Sequence, residues 1–387
     1  MRINDKVRTF FGNMFAWIRY IIDHTYEIKK YTDPRRVSIY KKIQLTDSQK
    51  RKIDSLYIEN YGKKVPHIWH RHFTAFTGNF DEKYIPELLY IPEFEAFMNI
   101  NPEYNKVFSD KNVLPYIAKT ANVKVPETII SCIKGVYRNK ENNIITKKEA
   151  IEVISNIGSV FIKPSVDSNS GKNCAVLNVD GGIDKVSGRT VAEIIESIGL
   201  DFLVQEKVIC HKSISDIYPD SVNTFRIITY IWRDEIKFMP VIMRIGRGGN
   251  CIDNAHAGGM FIAVDDDGTL HDTAFTEFNN RFSVHPDTKI SYKGYKIECF
   301  SNVLSAAKAM HELIPQVGVV NWDFTIDETG AAVIIEMNIN SGSVWLPQIA
   351  HGKGAFGDNT AEVLRWLALM KKTTPSKRYK YAFGKFE

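Results

Sequence analysis

Two apolar, β-branched runs, Val319–Ile326 and Ala332–Asn338, are joined by the short turn Asp327-Glu-Thr-Gly330 and Ala331. Turn-forming residues between two strand-forming runs predict an antiparallel hairpin, and a hairpin is stable in water only within a larger sheet that has a core to rest on. A two-residue loop at Glu328 and Thr329 would set Asp323 opposite Ile334. Side chains alternate between faces along a strand, so Asp323, Glu336 and Asn338 then share one face, with Glu336 diagonal to Asp323 at ~7–8 Å between Cα atoms. Three oxygen donors on one face suit Mg²⁺, which keeps part of its shell for water and phosphate oxygens. Taken alone, the same pattern also describes a solvated polar face on a half-buried hairpin.

Further short strand-like runs fall at residues 159–163, 174–179, 202–208, 224–232, 236–245 and 260–264, and helical periodicity falls at 147–157, 190–198, 300–314 and 358–372. Strands linked by turns, with helices interspersed and no sustained βαβ rhythm, predict an α+β fold built on antiparallel sheets. At 387 residues, 44% hydrophobic and 25% charged, the chain can bury more than one core. The expected divisions are a basic, mainly helical region over 1–105, then units over 106–208 and 209–387.

The formal charge of +5 is too small over this length to indicate a nucleic-acid binder. Its distribution is uneven. Residues 1–42 hold ten Lys/Arg against four Asp/Glu, which leaves the remainder close to neutral. Val7, Phe10, Phe11, Met14, Phe15, Trp17, Ile18, Ile21 and Ile22 recur at helical spacing. Such a stripe either packs on the rest of the protein or docks on an anionic inner membrane surface. No run is long enough to span a bilayer. Five scattered cysteines without a C-x-x-C pair point to a reducing cytoplasm and to no zinc knuckle. His67, His70 and His72 lack the i, i+4 pair of helical zinc sites and are expected to be surface or core residues.

Upstream of the hairpin, Ser159-Val-Phe-Ile-Lys-Pro-Ser165 leads into Asp167-Ser-Asn-Ser-Gly-Lys-Asn173. A lysine ending an apolar strand can reach over a phosphate, and a loop of small residues that includes Ser170 and Gly171 can lay backbone N–H groups on the same anion. The strand-like Phe202-Leu-Val-Gln-Glu-Lys-Val208 then ends in charge. In order and spacing these pieces resemble the ATP-grasp superfamily over residues ~108–350. Ser109-Asp-Lys111, Gln205-Glu-Lys-Val208, Ser221-Val-Asn-Thr-Phe-Arg226, Met243-Arg-Ile-Gly246, Ile252-Asp-Asn254 and Gly258-Gly259 resemble more closely the sugar-transfer-associated branch, of the teichuronopeptide-biosynthesis type.

The resemblance implies an ATP-grasp fold, in which two α+β subdomains clamp ATP, here preceded by the helical region. The 106–208 unit would be its N-terminal lobe and hinge, and the 209–387 unit its C-terminal lobe with the Mg²⁺ site. By the same resemblance Lys111 and Lys163, with Ser170 and Gly171, contact the ATP phosphates. Glu206, Lys207 and Val208 form the adenine hinge, and Asp323, Glu336 and Asn338 hold Mg²⁺. Arg226 and Arg244 face the transferred phosphate or the acyl phosphate, since a planar guanidinium fork matches phosphate or carboxylate oxygens two at a time. The usual ribose-binding acid is not evident, because Cys210, His211, Lys212 and Ser213 occupy that stretch. Asp253, Asn254 and His256 have no assigned role.

The implied chemistry joins a carboxylate to an amine through an acyl phosphate, with ATP and Mg²⁺ as cofactors. A sugar carboxylate and an amino acid in bacterial surface polysaccharide, or capsule, are the implied substrates. A phosphotransferase on the same fold, or a nucleotide-binding scaffold without catalysis, remain alternatives. No Ser/His/Asp signature is present, and Cys174 and Cys210 are expected to be small buried apolar residues.

Overall fold

The β-branched runs pair into two antiparallel sheets in the computed structural model, which describes residues 3–166, 173–251, 253–340 and 342–387. The first sheet contains β1 (Thr128–Ile133), β2 (Val136–Asn139), β3 (Ile144–Ile145), β4 (Ser159–Pro164), β5 (Ala175–Asp180), β6 (Ile183–Asp184) and β7 (Phe202–Glu206), in the order β3-β2-β1-β7-β4-β5-β6. Its core packs Ile130, Val160, Ile162, Phe202 and Val204 against Ala150, Ile154, Val191 and Ile195 of two helices, Lys147–Ile157 and Val191–Ile198. Each helix begins at a Thr-x-x-Glu capping box. The hydroxyl of Thr146 accepts from the Glu149 N–H, and the Glu149 carboxylate accepts from the Thr146 N–H at 2.7 Å; Thr190 and Glu193 repeat the arrangement.

The second sheet contains β8 (Thr224–Trp232), β9 (Glu235–Phe238), β10 (Val241–Ile245), β11 (Met260–Val264), β12 (Ala274–Phe275), β13 (Arg281–Phe282), β14 (Val319–Ile326) and β15 (Ala332–Asn338). Its order is β13-β12-β11-β10-β8-β14-β15, with β9 added to β8. The expected single run over 236–245 is two strands, because Pro240 has no N–H to give to a ladder.

Period-two alternation gives this sheet two distinct faces. Phe225, Ile227, Met243, Ile262, Trp322 and Phe324 turn to one core, shared with Phe300, Val303 and Met310 of helix Phe300–Glu312. Ile228, Tyr230, Ile242, Phe261 and Val319 turn to the other, shared with the N-terminal Trp69, Phe73 and Phe94 and the C-terminal Trp345 and Trp366. Continued along the strands, that second face carries Thr224, Arg226, Arg244, Asn321 and Asp323. The sheet therefore has one face that is apolar at one end and charged at the other.

His70 and His72 lie in the core, where burial pushes both imidazoles down to about 3. His67 pairs with Asp54 at 2.8 Å.

The N-terminal helix α1 (Ile3–Lys30) settles the orientation of the apolar stripe. Its inward side is largely polar. Tyr20 donates to Glu93 at 3.2 Å, while Glu27 is buried and accepts from Lys30 at 2.8 Å. Beyond the helix end, Tyr31 packs against Trp69 in the core with its ring tilted to the indole. Much of the stripe points away from the body, with Phe10 and Ile22 each at least 60% exposed and Phe11 nearly half exposed. Phe15 and Trp17, at the edges of the stripe, line an open cavity of about 760 Å³ together with Tyr20 and with Ile91 and Phe97 of the body. Among the described residues, no helix is long and apolar enough to cross a membrane.

Candidate nucleotide and metal site

The β14–β15 hairpin converges its polar groups by a route different from the one expected. The Asp327 N–H donates to the Ala331 carbonyl, and the Gly330 N–H donates back to the Asp327 carbonyl, both at 2.9 Å. The loop therefore has three residues, closed by Gly330 at φ +84°, a left-handed conformation that favours glycine. Left uncorrected, that extra residue would pair Asp323 with Ile335 and turn Glu336 to the far face. A β-bulge cancels it. Phe324 pairs with Ile334, but Asp323 pairs with Glu336 and Asn321 with Asn338. Glu336 is thus directly opposite Asp323, not diagonal to it, and Ile334 is opposite Phe324. The extra residue, Ile335, turns its carbonyl to Lys163, whose Nζ donates to it at 3.2 Å.

Two arginines hold the Asp323 carboxylate. Arg226, its partner across the β8–β14 ladder, reaches Oδ1 through Nε at 2.6 Å and Oδ2 through Nη2 at 3.2 Å. Arg244 reaches Oδ2 at 3.1 Å. Burial would raise this carboxyl, but the two guanidiniums outweigh burial and hold it below the usual range. Asn338 Nδ2 donates to the same Oδ2 at 3.3 Å. Glu336 pairs instead with Lys111 at 3.0 Å.

Behind Arg244 lies a second layer. Its Nε and Nη2 donate to Thr224 Oγ1 at 3.0 and 2.7 Å, and that hydroxyl donates to Asp253 Oδ2 at 2.5 Å. Asp253 also accepts the Thr224 N–H and lies 3.6 Å from Arg244. Burial pushes its carboxyl up despite the arginine. Asp253 thus has a place as a positioning residue for Arg244. Asn254 caps the short turn Ala255–Ala257, and His256 pairs with Glu277 at 2.8 Å.

Lys163 ends β4 facing the hairpin, and burial lowers its ammonium to about 8, with Glu336 opposing and Lys111 adding to the fall. Lys111 is fixed by its backbone, whose N–H donates to the Ser165 carbonyl at 3.0 Å. Ser170 and Gly171 lie outside the described residues. Glu206 ends β7, with Lys207 and Val208 just beyond it. The chain then reaches the hairpin, where the His211 N–H donates to the Ile326 carbonyl at 2.8 Å and the Glu328 N–H to the Ile209 carbonyl at 3.2 Å. The 206–208 stretch thus lies where the chain passes from one sheet to the other.

Asn321 was not singled out by its sequence pattern. It is fully buried opposite Asn338, and among the described residues neither its amide nitrogen nor its oxygen has a hydrogen-bond partner. Gly342 makes room for it, since a Cβ there would lie 2.1 Å from Asn321 Nδ2. The available signal was its position two residues before Asp323 in an otherwise apolar strand, which puts both side chains on one face. Cys210 is buried as expected, with Sγ 3.4 Å from Thr325 Oγ1. Cys174 is only part-buried.

A family described as sugar-transfer associated ATP-grasp matches residues 92–363, a span that includes every residue of this site. The chain belongs to that family. Its fold is the ATP-grasp fold, preceded by a helical region that lies largely outside the match. Solved structures similar to this ATP-grasp protein include an L-amino acid ligase from Bacillus licheniformis, with 11% identity over 63% of this chain and 43% of that one and a TM-score of 0.34. An N5-carboxyaminoimidazole synthetase from Staphylococcus aureus complexed with ADP has 11% identity over 61% and 46%, at TM-score 0.36. D-alanyl-alanine synthetase A from Vibrio cholerae has 11% identity over 70% and 65%, at TM-score 0.40. The chain spans less than half the length of the first two. No curated protein matches the sequence.

The residues fit the Mg²⁺ and ATP that the fold family implies. Two carboxylates and an amide on one face are hard oxygen donors of the kind Mg²⁺ takes, and the orphaned amide of Asn321 lies directly across from Asn338. Asp323, Glu336 and Asn338 would hold the metal. Lys111, Lys163, Arg226 and Arg244, now on carboxylates or a carbonyl, are the cations that phosphate oxygens would recruit.

Proposed function

We propose that this ATP-grasp protein is an ATP- and Mg²⁺-dependent carboxylate–amine ligase that joins an amine, such as an amino acid, to a sugar carboxylate during surface polysaccharide assembly. The observation that carries the reading is the convergence of Lys111, Lys163, Arg226 and Arg244 on the face bearing Asp323, Glu336 and Asn338. Such a site stabilises charge on a transferring phosphoryl group and needs no protein nucleophile. Cys174 fits this reading, since burial raises its thiol and opposes thiolate formation even with the Lys163 charge acting on it.

In this scheme Mg²⁺ neutralises phosphate charge when bound. Lys163 and Lys111 hold phosphate oxygens from the first sheet, and Glu206, Lys207 and Val208 line the adenine. Arg226 and Arg244 orient the carboxylate substrate against the phosphate, with Thr224 and Asp253 keeping the Arg244 fork in plane. A carboxylate oxygen of the substrate bonds to the γ-phosphorus as ADP leaves, and the amine nitrogen then attacks the acyl carbon, releasing phosphate and a proton to give the amide. The sugar-carboxylate assignment rests on the family, whose description is sugar-transfer associated.

The test is trapping. With Mg-ATP and a panel of uronic acids, hydroxylamine should convert the activated carboxylate to a hydroxamate, with ADP and phosphate formed in equal amounts. A stable phosphorylated sugar would establish the phosphotransferase reading instead, and AMP with pyrophosphate would exclude both. Lack of nucleotide turnover with every acceptor would favour a scaffold.

The Lys163 ammonium supplies a pH prediction. It carries its charge below about pH 8 and loses it above, so its attraction for phosphate weakens as pH rises. The KM for ATP should climb between pH 7.5 and 9. In Lys163→Met, KM should be high at both ends and flat. A wild-type KM that stays constant over this interval would mean that Lys163 does not act on the phosphates.

The reading also places the enzyme at the inner face of the plasma membrane, held there by α1. The outward apolar stripe supports this placement.

A further inference from the structure

Asp265, His271 and His351 form a cluster that the ligase reading does not use. Asp265 follows β11 at the end paired with Val241, three residues along β10 from Arg244, or roughly 10 Å of strand. His351 closes helix Trp345–His351 and is buried. Its Nε2 lies 2.7 Å from the Val241 carbonyl, which can only accept, so Nε2 carries the proton and Nδ1 keeps a lone pair. His271 is tied to the sheet by its N–H, which donates to the Ala263 carbonyl at 3.0 Å, and its Nε2 is 3.1 Å from Asp265 Oδ1. The two imidazoles are 5.0 Å apart between centroids, and one donor atom from each of the three residues lies within 4.8 Å of the others.

Two imidazoles and a carboxylate are a ligand set for Zn²⁺ and similar late divalent metals rather than for Mg²⁺ or Ca²⁺. The Val241 carbonyl already supplies the backing hydrogen bond that a metal-bound histidine ordinarily has. Tetrahedral zinc would separate its donors by about 3.3–3.5 Å. The His271–Asp265 spacing nearly meets that, and both residues lie on a part-exposed turn that can close the remaining distance to the fixed His351. The turn itself is anchored at Gly268, where φ is +89° and a Cβ would lie 2.6 Å from the Ile297 carbonyl.

We infer that Asp265, His271 and His351 bind one divalent transition-metal ion of the Zn²⁺ type, which clips the C-terminal end of helix Trp345–His351 to the β10–β11 hairpin. Water completes the shell. The helix so held begins at Trp345, whose indole packs on Phe261 of β11, so the metal would fasten the other end of an existing contact.

The test uses the full chain, treated with chelator and returned to excess Mg²⁺ to occupy the Asp323 face. Zinc chloride is titrated by calorimetry and by thermal melting. One equivalent of Zn²⁺ should bind and raise the melting temperature. His271→Ala and Asp265→Asn should each weaken binding at least ~10-fold and abolish the zinc-dependent rise, with the zinc-free melting temperature close to wild type because both residues are part-exposed. His351 packs in the core, so its partners are the ones changed. Glu336→Gln, at the nucleotide site, should keep the rise. A wild-type protein indifferent to zinc, or a zinc affinity in His271→Ala and Asp265→Asn equal to that of wild type, would overturn the inference. No nucleotide or acceptor enters the readout, so its outcome is independent of the ligase reading.

Discussion

Asp323→Asn is expected to lose turnover and about 3–5 kcal/mol of stability together, whereas Glu336→Gln should lose turnover and keep its fold. The difference follows from burial. Asp323 is 2% exposed and accepts from two guanidiniums that are themselves nearly enclosed. Removing its charge leaves Arg226 and Arg244 buried without that counter-ion, the situation that costs ~3–5 kcal/mol when one partner of a buried pair is deleted. Asp253 is a partial substitute for Arg244 only, from 3.6 Å. Glu336 is 29% exposed and pairs with Lys111, whose side chain is 9% exposed; glutamine keeps a carbonyl oxygen for that ammonium, so the loss should stay well below the one at Asp323. Both variants should lower kcat by on the order of 10²-fold or more, since each removes charge from the face that would meet metal and phosphate.

The pH dependence separates the two further. The Asp323 carboxyl is held below its usual value, so its stabilisation is fully present above the unfolded value of ~3.9 and disappears as pH falls towards the folded one. The stability gap between wild type and Asp323→Asn, read by urea denaturation, should therefore be constant from pH 5 to 8 and narrow below pH 4. Equal stability at pH 7 would mean that the arginines do not depend on Asp323. Full turnover in Glu336→Gln would remove it from the metal set.

The shared face of Asp323, Glu336 and Asn338 was legible because it depends only on parity, and parity survived. The register was not legible. A three-residue loop and a bulge at Ile335 each shift the pairing by one, and the second shift restores the face that the first would have lost. Nothing in Ile334-Ile335 marks where the extra residue goes, because the bulge answers to Lys163, 172 positions away. β1 and β2 were missed although Lys134-Gly135, both at positive φ, form the two-residue turn that right-twisted hairpins favour. A lysine in place of the usual asparagine hid that signal. Arg226 and Arg244 were placed by family resemblance alone. Their distance from Asp323 follows from strand order β10-β8-β14, which brings Arg226 onto the strand next to Asp323 and Arg244 onto the strand beyond that. Periodicity identified α1 and its stripe but not the direction in which the stripe points. Direction depends on what the opposite side meets, and that side finds Glu93 and a buried Glu27 on or against the body.

That direction leads to the other large expected effect. Changing Phe11, Trp17, Ile18 and Ile22 together to Ser should leave melting temperature and turnover on soluble acceptors unchanged and remove binding to anionic vesicles. All four are exposed, from 38% to 63%, so their loss opens no cavity in the core. Burying the exposed part of each in a bilayer interface is worth on the order of 1 kcal/mol, or about 4 kcal/mol for the set, which is roughly a thousandfold in partitioning. Basic residues of the first 42 positions add ~1 kcal/mol each near anionic lipid, and that part is screened by salt. Wild type should accordingly sediment with anionic vesicles at low salt, less at high salt, and weakly with neutral ones, while the quadruple variant stays in solution throughout. If instead the variant melts lower than wild type, the stripe is covered by the protein itself in solution. If wild type self-associates without vesicles and the variant does not, the stripe joins two copies. Only the vesicle-dependent result keeps the active site beside a membrane, where an acceptor carried on lipid would meet it in two dimensions and at a correspondingly higher effective concentration.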